Sequence, residues 1–207
     1  IYDDSSLKCW GNNYLGQLGQ GNTQDYYTPQ TVDLGAGRIA VSVGSGNGNT
    51  CAILDNGSLK CWGSNYYGKL GIGSSTDISG QGNENTPQLV DLGVGRTAVS
   101  VSLGEHRTCA ILDDGSLKCW GDNTNGQLGI GSNTNQNTPQ LVDLGVGRTA
   151  VSVSLGEGIT CAILDDGSLK CWGYNNYGQL GIGTSGYTTN QNTPQLVDLG
   201  VGRTAVS

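Results

Sequence analysis

Apolar residues alternate with small or polar ones in short runs, and the runs recur along the chain. In residues 97–103, Val99, Val101 and Leu103 fall on one side of an extended backbone and Ala98, Ser100 and Ser102 on the other. This period of two predicts a strand whose small-residue face lets another backbone approach. Two further runs, Cys-Ala-Ile-Leu and Ser-Leu-Lys-Cys-Trp, flank Asp-Asp-Gly or Asp-Asn-Gly and predict a hairpin. The two cysteines of each hairpin stand ten residues apart, so the turn centres between Asp55 and Gly57. That is a three-residue loop with glycine in the left-handed position. Its register opposes Leu54 to Ser58, Ile53 to Leu59 and Cys51 to Cys61. Ser5 replaces the glycine found at Gly57, Gly115 and Gly167, which predicts a strained first turn. Trp10, Trp62, Trp120 and Trp172 each follow a cysteine and face the opposite way. A short fourth strand is expected after each proline of the Thr-Pro-Gln segments. No segment carries a helical period.

These strands belong to a repeat. The block CAILDDGSLKCWG stands at residues 109–121 and 161–173, CAILDNGSLKCWG at 51–63, and a worn copy at 1–11. The step from proline to the next block's first cysteine is 22 residues every time (Pro29 to Cys51, Pro87 to Cys109, Pro139 to Cys161), whereas the second cysteine and the next proline are 20, 26, 20 and 23 residues apart. A scaffold of fixed length thus carries one loop of free length per unit, and such loops map to one face of a stack. The chain reads as a single array over residues 1–207. Its units are approximately 1–38, 39–96, 97–148 and 149–203, and 204–207 open the next. Four short strands in about 52 residues is the content of one propeller blade. The expected fold is all-β, with propeller-type repeats in about four blades of four short antiparallel strands. Because Ile1 aligns with Ile111 and Ile163, the chain reads as a piece of a larger propeller or of an open stacked array.

Composition narrows the function classes. The net charge is −7 and the isoelectric point near 4.4, a balance that repels phosphate backbones, so nucleic acid is not an expected partner. No apolar run is long enough to span a membrane. Glycine accounts for 36 residues, but the regular alternation of Val and Leu argues against a disordered chain.

Seven cysteines are present. The register opposes Cys51 to Cys61, Cys109 to Cys119 and Cys161 to Cys171 on non-hydrogen-bonded pairs, where a cross-strand disulfide fits. Cys9 is the second cysteine of a block whose first lies ahead of Ile1, and is unpaired here. The alternative is that the cysteines fill buried strand positions as small apolar residues. Zinc would need closer spacing or nearby histidines, and His106 is the single histidine. Disulfides imply an oxidising compartment, so the expected location is extracellular or at a cell surface.

Other candidate residues favour structure over chemistry. His106 occurs in one unit only, with no nucleophile and orienting group singled out beside it; no catalytic, cofactor or metal residue is expected. Asp113, Asp114, Asp165 and Asp166 suit the tight turn better than a calcium site. Asp33, Asp91, Asp143 and Asp198 recur about five residues before Arg38, Arg96, Arg148 and Arg203, and pairing between these two sets across neighbouring strands or blades is expected. Asn56 lies in an Asn-x-Ser acceptor, and Thr86, Thr138 and Thr193 precede prolines in hydroxyl-rich loops; all four are candidate glycosylation sites. Tyr14, Tyr26, Tyr27, Tyr66, Tyr67, Tyr174, Tyr177 and Tyr187 gather around the variable loops at residues 74–86 and 184–193 and the segments before them. They form either an adhesive face or a cover for blade edges.

The segments with Asn, Gly, Gln or Lys, Leu and Gly (13–19, 65–71, 123–129 and 175–181), each followed by a proline strand, a valine strand and a hairpin ending in Trp-Gly, resemble the repeat of the regulator of chromosome condensation family. The resemblance covers essentially the whole chain and implies a seven-bladed propeller. The family's best-known role is guanine-nucleotide exchange on a small GTPase, together with chromatin binding. Acidic charge and opposed cysteines point elsewhere. The expected function is a non-enzymatic extracellular structural or adhesive repeat protein, the building unit of a surface fibre. A second reading is a secreted propeller that binds or inhibits one specific protein, and exchange-factor activity is a third. Expected partners are other copies of the chain or flanking repeats, and protein or glycan through the variable loops.

Overall fold

A computed structural model describes residues 1–75, 83–186 and 188–206; Tyr187 and the centre of the loop at 74–86 lie outside the described residues. The strands are β1 (Lys8–Gly11), β2 (Tyr26–Thr31), β3 (Ala40–Ser45), β4 (Asn49–Leu54), β5 (Leu59–Gly63), β6 (Gln88–Leu89), β7 (Ala98–Leu103), β8 (Arg107–Leu112), β9 (Leu117–Gly121), β10 (Gln136–Leu141), β11 (Ala150–Leu155), β12 (Ile159–Leu164), β13 (Leu169–Gly173) and β14 (Gln191–Leu196). They form three four-stranded antiparallel sheets, β3 to β6, β7 to β10 and β11 to β14, each in sequence order. The first unit departs from the expected four strands: it contributes only the ribbon β1–β2.

Each hairpin adopts the register that its spacing dictates. Ile53 opposes Leu59 and Cys51 opposes Cys61, while Leu54 N–H donates to Ser58 O and Gly57 N–H to Leu54 O. Disulfides join Cys51 to Cys61, Cys109 to Cys119 and Cys161 to Cys171, with Cα atoms 4.1 Å apart in each; Cys9 is free and half-buried. Gly57 has φ +76°, and a Cβ there would meet Thr97 Cβ at 2.5 Å, so the glycine supplies both the left-handed turn and close packing on the next unit. Ser5 adopts the same region with φ +64°.

Three expectations are corrected. Val99 is exposed, because a bulge between Ala98 and Ser100 shifts the ladder. One extra residue reverses the faces, so Ala98, not Val99, joins Val101 and Leu103 against the core. Pro29, Pro139 and Pro194 lie inside β2, β10 and β14 rather than ahead of them. These are edge strands, where a residue without an N–H is tolerated. Lastly, Arg38 pairs with Asp55 at 3.1 Å, Arg96 with Asp114 at 2.6 Å and Arg148 with Asp166 at 2.8 Å. The aspartates expected to hold them instead accept the N–H of Gly35, Gly93, Gly145 and Gly200, a local turn two residues away that captures the carboxylate first.

The core lies between sheets. Cys51, Ile53, Leu59 and Cys61 pack with Ala98, Ala110, Leu112 and Trp120 of the next sheet. Cys109, Ile111, Leu117 and Cys119 pack with Ala150, Ala162, Leu164 and Trp172. Leu7, Val32 and Leu34 of the ribbon pack with Ala40, Ala52, Leu54 and Trp62. Every seam therefore buries the cysteine face of one unit against the tryptophan face of the next.

Two outcomes follow. Ser5→Gly relieves the left-handed strain and is expected to raise stability by about 1 kcal/mol, read from urea denaturation. Two Ser116 bonds and Arg96 hold the Asp114 carboxyl down to about 2, and Ser168 with Arg148 does the same for Asp166. A lowered folded value means stability that is present above the ordinary value of 3.8 and lost as pH falls through about 2. The thermal midpoint is expected to fall across that window, and the fall to flatten in Asp114→Asn with Asp166→Asn.

Candidate functional site

After each tryptophan strand the chain folds into a tight segment organised by one asparagine. Asn13, Asn65, Asn123 and Asn175 are fully buried. Their Oδ1 atoms accept the N–H of Leu18, Leu70, Leu128 and Leu180 at 2.9, 3.0, 2.9 and 3.1 Å. Their Nδ2 groups donate to the carbonyls of Asn22, Ser74, Ser132 and Thr184, at the base of each variable loop. One side chain thus pins both the segment and the loop behind it.

The same segment joins to the next unit through a single backbone carbonyl. Gln17 O accepts Trp62 Nε1–H at 2.9 Å and the Thr50 hydroxyl at 2.9 Å. Lys69 O accepts Trp120 and Thr108 at 3.0 and 2.8 Å, and Gln127 O accepts Trp172 and Thr160 at 3.0 and 2.7 Å. Gly129 has φ +74°, and a Cβ on it would lie 2.5 Å from Trp172 Nε1. Only glycine lets the indole reach its acceptor.

These anchors hold the segments beside the β7–β8 and β11–β12 loops, because Asp122 N–H donates to His106 O and Tyr174 N–H to Gly158 O. The resulting loop face gathers most of the predicted aromatic residues. Tyr66 and Tyr67 contact the His106 ring at 5.4 and 5.3 Å between centroids, and Tyr174 meets Tyr177 at 6.3 Å. Tyr14 and Tyr177 are largely exposed. Tyr26 and Tyr27 lie apart on edge strand β2. The ring contacts of His106 are aromatic, and its Nε2 lies 3.6 Å from Glu105. Asn56 sits exposed in the hairpin turn, its Oδ1 accepting the Ser58 N–H and hydroxyl. Thr138 and Thr193 are exposed on edge strands, and Thr86 is half-buried just before Pro87. Among the described residues no group of three or more His, Cys, Asp or Glu is placed to hold a metal ion, and no helix is long and apolar enough to cross a membrane.

Two buried cations went unread in the sequence. Arg107 is 2% exposed. Its Nε donates to Thr160 Oγ1 at 3.2 Å and its Nη2 to the carbonyls of Gly156 and Ile159. Burial lowers its pKa to about 10, against the opposing pull of Asp122 and Glu105, so it stays charged at neutral pH. Lys69, equally buried, donates to Asn47 O at 2.6 Å and Glu105 O at 3.1 Å. The available signal was substitution within the repeat: Arg107 stands where other units have Asn49 and Ile159, and Lys69 where they have Gln17, Gln127 and Gln179.

Antiparallel sheets stacked face to face in sequence order, each seam closed by the same tryptophan, define a β-propeller-type repeat array. Models of the regulator of chromosome condensation (RCC1) repeat match residues 7–53, 56–111, 114–163 and 166–207, and the chain belongs to that family. It is 31% identical over 182 residues to the ultraviolet-B receptor UVR8 of Arabidopsis thaliana, covering 88% of this chain and 40% of the receptor. It is 31% identical over 178 residues to the human E3 ubiquitin-protein ligase HERC2, covering 85% of this chain and 4% of the ligase. The structure of human WBSCR16 superposes with a TM-score of 0.77 at 22% identity, over 95% of this chain and 49% of that one. Prp20p of Saccharomyces cerevisiae, described with its binding to Gsp1p and histones, superposes with 0.74 at 19% identity, over 93% and 46%. The chain spans less than half the length of each of these relatives.

Asn123→Ala leaves the Leu128 N–H and the loop carbonyls without partners and is expected to cost about 3 kcal/mol in urea denaturation. Asn123→Asp keeps the acceptor but sets a buried carboxylate oxygen against the Ser132 and Thr134 carbonyls, and is expected to cost at least as much.

Proposed function

We propose that this chain is a non-catalytic binding module of an oxidising, extracellular setting that presents its loop face to a protein partner. The observation that carries this reading is where the units differ. Their hairpins are nearly identical, whereas the differences concentrate at Asn47, Glu105 and Glu157, at Ser64, Asp122 and Tyr174, at the pairs before the segment glycine, and in the variable loops. The first three sets meet on the loop face. A purely structural repeat has no reason to diversify one face alone, and binding residues concentrate on loops held by a rigid scaffold. The three cross-strand disulfides support the compartment.

A second reading, the building unit of an extended array, draws on the seam itself, in which the cysteine face of one unit packs on the tryptophan of the next in the same way each time. Exchange-factor activity draws on Prp20p, whose 19% identity carries the fold and no residue role.

Alkylation in denaturant without reduction, on protein isolated from its own cells, is expected to leave Cys51, Cys61, Cys109, Cys119, Cys161 and Cys171 unlabelled; free thiols at these six would end the extracellular reading. A photoreactive residue at Tyr66 is expected to cross-link a protein partner from the surrounding fluid, and one at Asp114 is not. Equal capture at both would remove the loop face from the proposal.

A further inference from the structure

The seam between the β7–β10 and β11–β14 sheets opens on the loop face into a cleft of about 510 Å³. Arg107 is buried in its lining, and Glu105, Asp122, Glu157, Tyr174 and Tyr177 also line it. The bonds of Arg107 run to Thr160 and to two carbonyls, so its guanidinium is spent holding the sheets together. Among the described residues neither Glu105 nor Glu157 pairs with a lysine or arginine. Asp122 accepts from Gln127 at 2.6 Å and from Thr124, which orients its carboxylate without neutralising it. Three carboxylates against one guanidinium leave the cleft negative at neutral pH.

Its aromatic wall favours the same kind of ligand. Tyr174 and Tyr177 meet edge to face, and Tyr177 is 84% exposed, so its ring is open to a partner. A cation over such a ring is attracted to the π-face while carboxylates within reach supply the counter-charge. The equivalent seam between the β3–β6 and β7–β10 sheets is built differently. There Lys69 fills the gap with its ammonium on Asn47 O and Glu105 O, and Tyr66 and Tyr67 meet the His106 ring edge-on and at a tilt instead of standing free. Replacing lysine by Gln127 in the next unit removes that plug.

Resting on the loop-face reading, we infer that this cleft binds a cationic side chain, arginine foremost, carried by a basic segment of the protein partner. Arginine is favoured over lysine because a planar guanidinium can stack on tyrosine and bridge two carboxylates at once.

The test titrates the whole chain, disulfides intact, with hexa-arginine, hexa-lysine and hexa-glutamate peptides by calorimetry. Hexa-arginine is expected to bind, hexa-lysine more weakly, and hexa-glutamate not at all. Glu105→Gln with Glu157→Gln is expected to weaken hexa-arginine at least tenfold with the thermal midpoint unchanged, since both side chains are exposed. Tyr177→Ala is expected to weaken it several-fold, and salt to weaken it further. The remote pair Asp33→Asn with Asp91→Asn removes the same charge and is expected to leave binding intact; equal weakening by that pair would show attraction to an acidic surface at large and overturn the cleft. No binding of hexa-arginine would also overturn it. A partner still cross-linked from Tyr66 in that case would leave the loop face standing with a different ligand, and loss of both would remove the two readings together.

Discussion

The arrangement depends on one carbonyl oxygen per seam that accepts two hydrogen bonds. Gln17, Lys69 and Gln127 each receive an indole N–H and a threonine hydroxyl from the following unit. Both donors are buried, so the acceptor must stay in place or leave two polar groups unpaired, at about 1 to 3 kcal/mol each. An indole buried to 0% exposure adds at least 3 kcal/mol of apolar burial. Packing and hydrogen bonding thus select the same position for each sheet on its neighbour. That position also sets where the adjacent loop segment sits.

Disulfides act on a different link of the chain. Each closes a loop of about 11 residues, for which chain entropy gives roughly 3 kcal/mol, comparable with one buried tryptophan. Yet the crosslink lies inside a hairpin that its turn already organises, whereas the tryptophan reaches across the seam and fixes one unit on the preceding one. The cysteines matter to the seam mainly as apolar surface, since Cys51 and Cys61 are packed in the cluster that holds Trp120. The disulfide makes the hairpin rigid, and the tryptophan makes the array.

How far the fold was legible follows from this division. Contacts within a hairpin depend only on turn type and spacing, so the opposition of Cys51 to Cys61 could be counted off the residues. Contacts that depend on a neighbouring unit could not. The bulge at Val99 reverses a face because Ala98, with its smaller side chain, fits against Trp120's cluster. The arginine partners were misassigned because a turn N–H two residues away captures Asp33 and its equivalents before any cation can reach them. Of the candidate site, the tyrosines and variable loops were visible as composition. The cleft was not, because it exists only where Arg107 of one sheet meets the β11–β12 loop of the next.

Anchoring through the main chain has a consequence for what the face can become. Any residue supplies a carbonyl, so the position that accepts the tryptophan places no demand on its own side chain. Lysine and glutamine both occupy it, with opposite results: Lys69 closes the seam beneath Tyr66, and Gln127 leaves the next one open. The asparagine five residues before each segment leucine is held constant instead, because its side chain does the clamping. Stability therefore rests on residues that point inward or on backbone atoms, and the outward side chains are free to differ from unit to unit without loosening the seam. A scaffold built this way can keep its hairpins nearly identical while the face that meets a partner changes residue by residue.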